Sequence, residues 1–127
     1  MSDDASRQIV NLYFDALNRR DYPAIHELIA RPILARNIQM QQEQIGTILS
    51  DVRYRIESTV AEGNEVWAFC TLHGTHTGEL QMPFATFAPT NRAIVMEQMY
   101  RFRLDGNKID LVADLTDVLG LVTQIAG

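Results

Sequence analysis

The chain has 127 residues, enough for one domain with its own core, and its 46% hydrophobic and 21% charged residues are an ordinary globular balance. A net charge of −5 argues against a nucleic-acid binder, which needs clustered Lys and Arg for phosphates. The lone Cys70 rules out an intrachain disulfide and a cysteine-based metal cluster and fits a reducing cytoplasm, while the acidic start and the lack of any ~20-residue apolar run predict neither a signal peptide nor a membrane span.

Apolar residues at 9, 12, 13, 16 and 17 form a helical stripe over Ser6 to Arg20, with Asp3 or Ser6 as its cap. Asn18-Arg19-Arg20-Asp21 breaks it. Pro23 suits the first turn of a second helix that runs to about Ala30 and is ended by Arg31-Pro32. Part of the Gln-rich stretch from Gln39 to Leu49 reads as a third helix, weakened by Gly46. From Asp51 the period changes to two: Val52, Tyr54, Ile56, Ser58 and Val60 alternate with Arg53, Arg55, Glu57 and Thr59, a half-buried strand.

Glu62-Gly63-Asn64-Glu65 predicts a turn, and Val66 to Thr77 a long central strand, apolar on both faces through Phe69. Gln81 to Asn91, with two prolines, reads as a loop with room for a short strand. Its Met82, Phe84 and Phe87 suit a lid, a dimer interface or packing under the loop. Ala93 to Leu104 is another long strand whose even positions, Gln98 and Tyr100 among them, form the core face. Asp105-Gly106 supplies the positive-φ residues of a hairpin turn. In the last strand, Lys108 to Asp117, the apolar residues stand at 109, 111, 113 and 115. On that parity Asp117 ends the core-facing stripe, and Asp110 and Asp114 fall on the polar face. Thr116 or Asp117 opens a final helix.

Helices followed by an antiparallel meander are an α+β order. Long strands curl, and helices laid in the curl leave a cone with a pocket in its mouth. Asp117 reads either as an acid/base in that pocket or as the cap of the last helix; Asp114 reads as a solvated residue or a partner of Arg101 or Arg103. Tyr13, Tyr54, Trp67, Gln98 and Tyr100 are core or pocket-wall candidates. His73 and His76 point to opposite faces of one strand, which speaks against a metal, although one of them could donate a hydrogen bond into the pocket. His26 is expected on the surface.

Five stretches in order resemble one family. They are Tyr13 to Asp21, Ala61 to Val66, Gly74-Thr75-His76-Thr77-Gly78-Glu79 with Pro89-Thr90-Asn91-Arg92, Asp105-Gly106-Asn107-Lys108-Ile109, and Asp117 to Ile125. Together they resemble the SnoaL-like polyketide cyclases of the nuclear transport factor 2-like superfamily, over nearly the whole chain. The resemblance implies a cone-shaped α+β barrel formed by a curved antiparallel sheet wrapped around N-terminal helices. It also implies a homodimer without metal or cofactor and an acid/base carboxylate at the position of Asp117. A related epoxide-hydrolase branch keeps its catalytic aspartate at the position of Asp114. The expected function is cofactor-independent acid/base chemistry on a small apolar carbonyl compound, aldol cyclisation or isomerisation. The rivals are a non-catalytic binding or dimerisation module and an epoxide hydrolase using Asp114.

Overall fold

The computed structural model describes residues 2–127. Helix α1 (Asp3–Arg19) starts one residue after Ser2, whose hydroxyl accepts the Ala5 N–H. It buries the stripe Val10, Tyr13, Phe14 and Leu17 and stops where Arg20 turns left-handed at φ 53°. Helix α2 (Tyr22–Leu28) is capped by Asp21, with proline in its first turn. Helix α3 (Pro32–Ile48) is much longer than the Gln-rich stretch predicts, because Pro32, expected only to end the second helix, opens the third. Gly46 does not break it.

The meander follows as β1 (Leu49–Glu62), β2 (Glu65–His76), β5 (Ala93–Asp105) and β6 (Lys108–Thr116), paired antiparallel in the order β1-β2-β5-β6. Between β2 and β5 a small hairpin, β3 (Leu80–Met82) with β4 (Ala85–Phe87), forms its own two-stranded sheet where the sequence suggests a loop. It is docked by backbone: the Thr77 and Gly78 N–H groups both donate to Ile48 O. A Cβ at Gly78 would run into the Thr47 carbonyl, so only glycine fits there. Helix α4 (Val118–Ala126) closes the chain and buries Leu121 and Ile125 against β5.

The concave face of the sheet takes the even residues of β2 and β5, and α1 lies in it. Phe14 meets Tyr100 and Phe102 edge-to-face at centroid distances of 5.3 and 5.7 Å, and Tyr13 meets Phe102 at 5.5 Å. Each such pair contributes about 0.5–1.5 kcal/mol beyond its buried area. Amide side chains close the exposed strand edges. Asn18 donates to Tyr54 O (2.9 Å) and accepts from Tyr54 N (2.6 Å); Gln124 does the same for Val95 (2.7 and 2.9 Å).

Irregularities in β1 and β6 change which side chains meet the interior. In β1 a register shift between Ile56 and Ser58 turns Val60 outward, 66% exposed, against the alternation expected there. The other lies at the start of β6. Arg103 pairs with Leu111 but Leu104 with Ile109, so Asp110 is an extra residue in β6. Arg31 holds the Asp110 carbonyl (2.6 Å) and Arg103 its carboxylate (3.1 Å). Beyond this bulge the facing parity reverses. Ile109 is fully buried, but Val112, Asp114 and Thr116 then share the concave face, paired with Phe102, Tyr100 and Gln98. The apolar Ala113 and Leu115 turn outward, Leu115 being 79% exposed.

Candidate functional site

Between α3, Tyr13 of α1 and the β5–β6 end of the concave face lies a cavity of about 440 Å³. Its wall combines Leu34, Ile38 and Val112 with the amides Asn37, Gln41 and Gln42, the phenols Tyr13 and Tyr100, and the Asp114 carboxylate. Tyr54 stands behind Tyr100, its hydroxyl accepting from Gln42 Nε2 at 2.9 Å. A larger groove of about 520 Å³, lined by Arg20, Asp51, Arg53 and His73, opens at the α1–β1 edge. The smaller cavity is the one that brings a carboxylate, phenols and amides together on an apolar floor, the make-up of a small-molecule site.

Burial raises the Tyr54 phenol to about 12, and pushes the Tyr13 and Tyr100 phenols well above their ordinary value. The Asp114 charge adds to the rise in all three. These phenols therefore stay protonated at neutral pH, as hydrogen-bond donors. The buried Cys70 thiol is likewise raised to about 12, first by desolvation and then by the charges of Asp114 and Glu57, so it is no thiolate nucleophile.

Asp114 is tied by one contact: the Thr116 hydroxyl donates to its Oδ2 at 2.7 Å. Thr116 in turn accepts from Gln98 Nε2 at 3.1 Å. The carboxylate stands at the exposed mouth of the cavity.

Several sequence expectations need correction. Asp117 does not end a core-facing stripe; it lies beyond the bulge, is exposed, and its Oδ1 accepts the Gly120 N–H at 2.9 Å as the N-cap of α4. Trp67 and His73 point out of the convex face, because β2 residues of odd number do. The Arg101 guanidinium lies 5.6 Å from the Trp67 ring and bonds Glu65, while His73 Nε2 lies 2.9 Å from the Thr71 hydroxyl. His76 is buried on the concave face but outside the cavity wall; its Nδ1 accepts the Thr90 N–H at 3.2 Å and anchors the β3–β4 excursion. Among the described residues, no three His, Cys, Asp or Glu side chains cluster to hold a metal. His26 is exposed, as expected.

Tyr13, Tyr54, Gln98 and Tyr100 do face inward together, as the strand and helix periods predict. Sequence reasoning missed Asn37, Gln41, Gln42 and Thr116. The spacing Asn37, Gln41, Gln44 is i, i+4, i+7, so one helical face of α3 could have been read as an amide stripe. Thr116 follows from the bulge alone.

A family model described as SnoaL-like polyketide cyclase matches residues 7–125. Among curated proteins, no sequence matches. Solved structures do. TsrD from Streptomyces laurentii is similar with a TM-score of 0.81 at 16% identity, over 98% of this chain and 97% of that one. A SnoaL-like polyketide cyclase from Agrobacterium tumefaciens gives 0.78 at 17%, over 98% of each chain. An NTF2-like protein of unknown function from Burkholderia pseudomallei gives 0.73 at 14%, over all of both chains. At such identities these likenesses speak to the fold, which is NTF2-like: helices packed into a curved four-stranded antiparallel sheet. Among the described residues, no helix is long and apolar enough to cross a membrane.

Proposed function

We propose a function from one premise: this chain belongs to the SnoaL-like polyketide cyclase family. It is a cofactor-independent acid/base enzyme that acts on a small, largely apolar ketone or polyketide-like ligand in the cone cavity. The observation that carries this reading is the Asp114 carboxylate in the wall of a cavity whose other polar groups are protonated phenols and amides.

Asp114 takes a proton from the carbon α to a carbonyl. The electron pair moves onto the carbonyl oxygen, and Tyr13 or Tyr100 donates a hydrogen bond to that enolate. Their raised pKa keeps the donor proton in place through the reaction. The enolate carbon then attacks a second carbonyl of the same molecule, and the new alkoxide takes the proton from Asp114. In an isomerisation, that proton instead returns to a different carbon. Gln98 supports the base rather than the ligand, since its amide is spent on Thr116. The role first read for Asp117 moves to Asp114 through the bulge.

Epoxide hydrolysis is less well supported, because it needs an arginine beside Asp114 in the cavity. Among the described residues the cavity wall has none; Arg101 meets Asp114 only in a separate groove on the outer side, with Trp67, Ala113 and Leu115. That outer face, with exposed Trp67, Val95, Met99, Leu115 and Leu119, is the surface through which a second copy of the chain would associate.

The test follows solvent deuterium entering the α-carbons of 2-tetralone by NMR. Wild-type protein should speed exchange above buffer, and Asp114→Asn should lower the catalysed rate by about 10²–10⁴-fold, the usual contribution of a general base. Asp117→Asn should retain it. Exchange that is unaffected by Asp114→Asn sinks the reading, and a wild-type protein that binds ketones without exchanging them is the binding module.

A further inference from the structure

We propose that Thr116 is the positioning residue for Asp114, aimed by a relay that crosses the sheet from Cys70 through Gln98. This deepens the reading of Asp114 as the base and rests on it for its catalytic meaning, but the relay itself is a matter of geometry.

The relay follows one rung of the strand register. Cys70 of β2 pairs with Gln98 of β5, and Gln98 pairs with Thr116 of β6. The side chains repeat that order. Cys70 Sγ lies 3.8 Å from Gln98 Oε1, Gln98 Nε2 lies 3.1 Å from Thr116 Oγ1, and Thr116 Oγ1 lies 2.7 Å from Asp114 Oδ2. Cys70 and Gln98 are buried, so water does not compete for these groups, whereas the Thr116–Asp114 contact lies at the exposed end of the relay.

The direction of every bond is forced from the carboxylate end. Ionised Asp114 can only accept, so Thr116 must give it its single proton. The Thr116 oxygen then has lone pairs alone to offer, so Gln98 must present its NH₂ there. That leaves the Gln98 carbonyl oxygen toward the Cys70 S–H. A hydroxyl is normally free to rotate; this one is held. The contact fixes Oδ2, leaving Oδ1 as the oxygen free to meet a ligand. Charge-assisted bonds of this kind are short and about twice as strong as neutral ones.

Other charged or titratable groups face the relay. Tyr13, Tyr54 and Tyr100 look onto it from α1, β1 and β5; the Glu57 charge of β1 acts on its Cys70 end, Glu97 and Asp117 flank it on the outer side, and Arg101 approaches Asp114 there. The experiment must therefore trace the signal to Asp114 itself.

The Gln98 side-chain amide of the ¹⁵N-labelled full chain is followed by NMR as pH is lowered through the carboxylate range. The expected result is a Gln98 titration that vanishes in Asp114→Asn and in Thr116→Val, and persists in Thr116→Ser. Thr116→Ala gives the same comparison if valine disturbs the strand. A titration that survives Thr116→Val or Thr116→Ala, or survives Asp114→Asn, overturns the relay. So does a Gln98 amide that never titrates. With 2-tetralone, Thr116→Val should lower the maximal exchange rate about tenfold, the rate equivalent of one charge-assisted hydrogen bond, with KM unchanged and serine restoring it. A change in KM alone refutes the positioning role. If wild-type protein exchanges no ketone, the proposed function falls while the Gln98 titration still decides the relay.

Discussion

Replacing Asp117 by alanine should destabilise the protein without touching its chemistry. The carboxylate accepts the Gly120 N–H at 2.9 Å, and the Asp117 carbonyl begins the helix by accepting from Leu121 N at 3.2 Å. Alanine keeps the second bond and loses the first. The cost of losing such a cap is about 1 kcal/mol. Helix α4 is only nine residues long and cannot stand without its packing on β5, so the loss is felt by the whole fold. Over 127 residues, an unfolding entropy of about 2.1 cal/mol/K per residue gives ~0.27 kcal/mol/K, and hence a Tm fall of roughly 4 °C. Asparagine caps as well as aspartate, so Asp117→Asn should stay within about 0.5 kcal/mol of wild type. Circular dichroism melts and urea titrations of the three proteins measure this. An alanine variant as stable as wild type refutes the capping account. An asparagine variant that folds normally but loses ketone exchange returns the acid/base role to Asp117.

Gly120→Ala should reverse sign with its background: the new Cβ collides with the Asp117 carboxylate, so alanine destabilises wild type, yet in Asp117→Ala it stabilises by up to about 1 kcal/mol through helix propensity. Additive effects in that double-mutant cycle would rule out the collision. Alkaline pH should weaken the fold early. Tyr54 and Cys70 have folded-state values of about 12, above ordinary values of 10.0 and 9.0. Both are neutral when protonated, so the native state holds their protons more tightly; their contribution is intact below about pH 9 and lost as pH rises toward 12. Urea midpoints should fall across that window and fall less steeply in Tyr54→Phe; an unchanged slope contradicts the burial argument. If the proposed dimer forms through the outer face, wild type should sediment as a dimer and Leu115→Glu as a monomer; a monomeric wild type, or a dimer that survives Leu115→Glu, refutes that surface.

Local pattern was enough for most of the scaffold. The period-two alternation of β5 put Gln98, Tyr100 and Phe102 on the core face, the α1 stripe buried Tyr13, Ala16 and Leu17 although its Leu12 is exposed, and a hairpin turn follows Asp105, with Gly106 alone at positive φ (61°). Those features depend on side-chain period and backbone sterics, which neighbouring residues determine. The facing of β6 does not. Its alternation alone assigns Asp117 to the interior and Asp114 to the polar face; one inserted residue brings Asp114 to the exposed mouth of the cavity and leaves Asp117 outside it as a helix cap. The bulge at Asp110 is held by Arg31, 79 positions away along the chain, and by Arg103 on the next strand. A side chain's periodicity records its neighbours in sequence, whereas a bulge is stabilised by partners that only folding brings near. Tertiary structure therefore decided which of two aspartates meets the cavity.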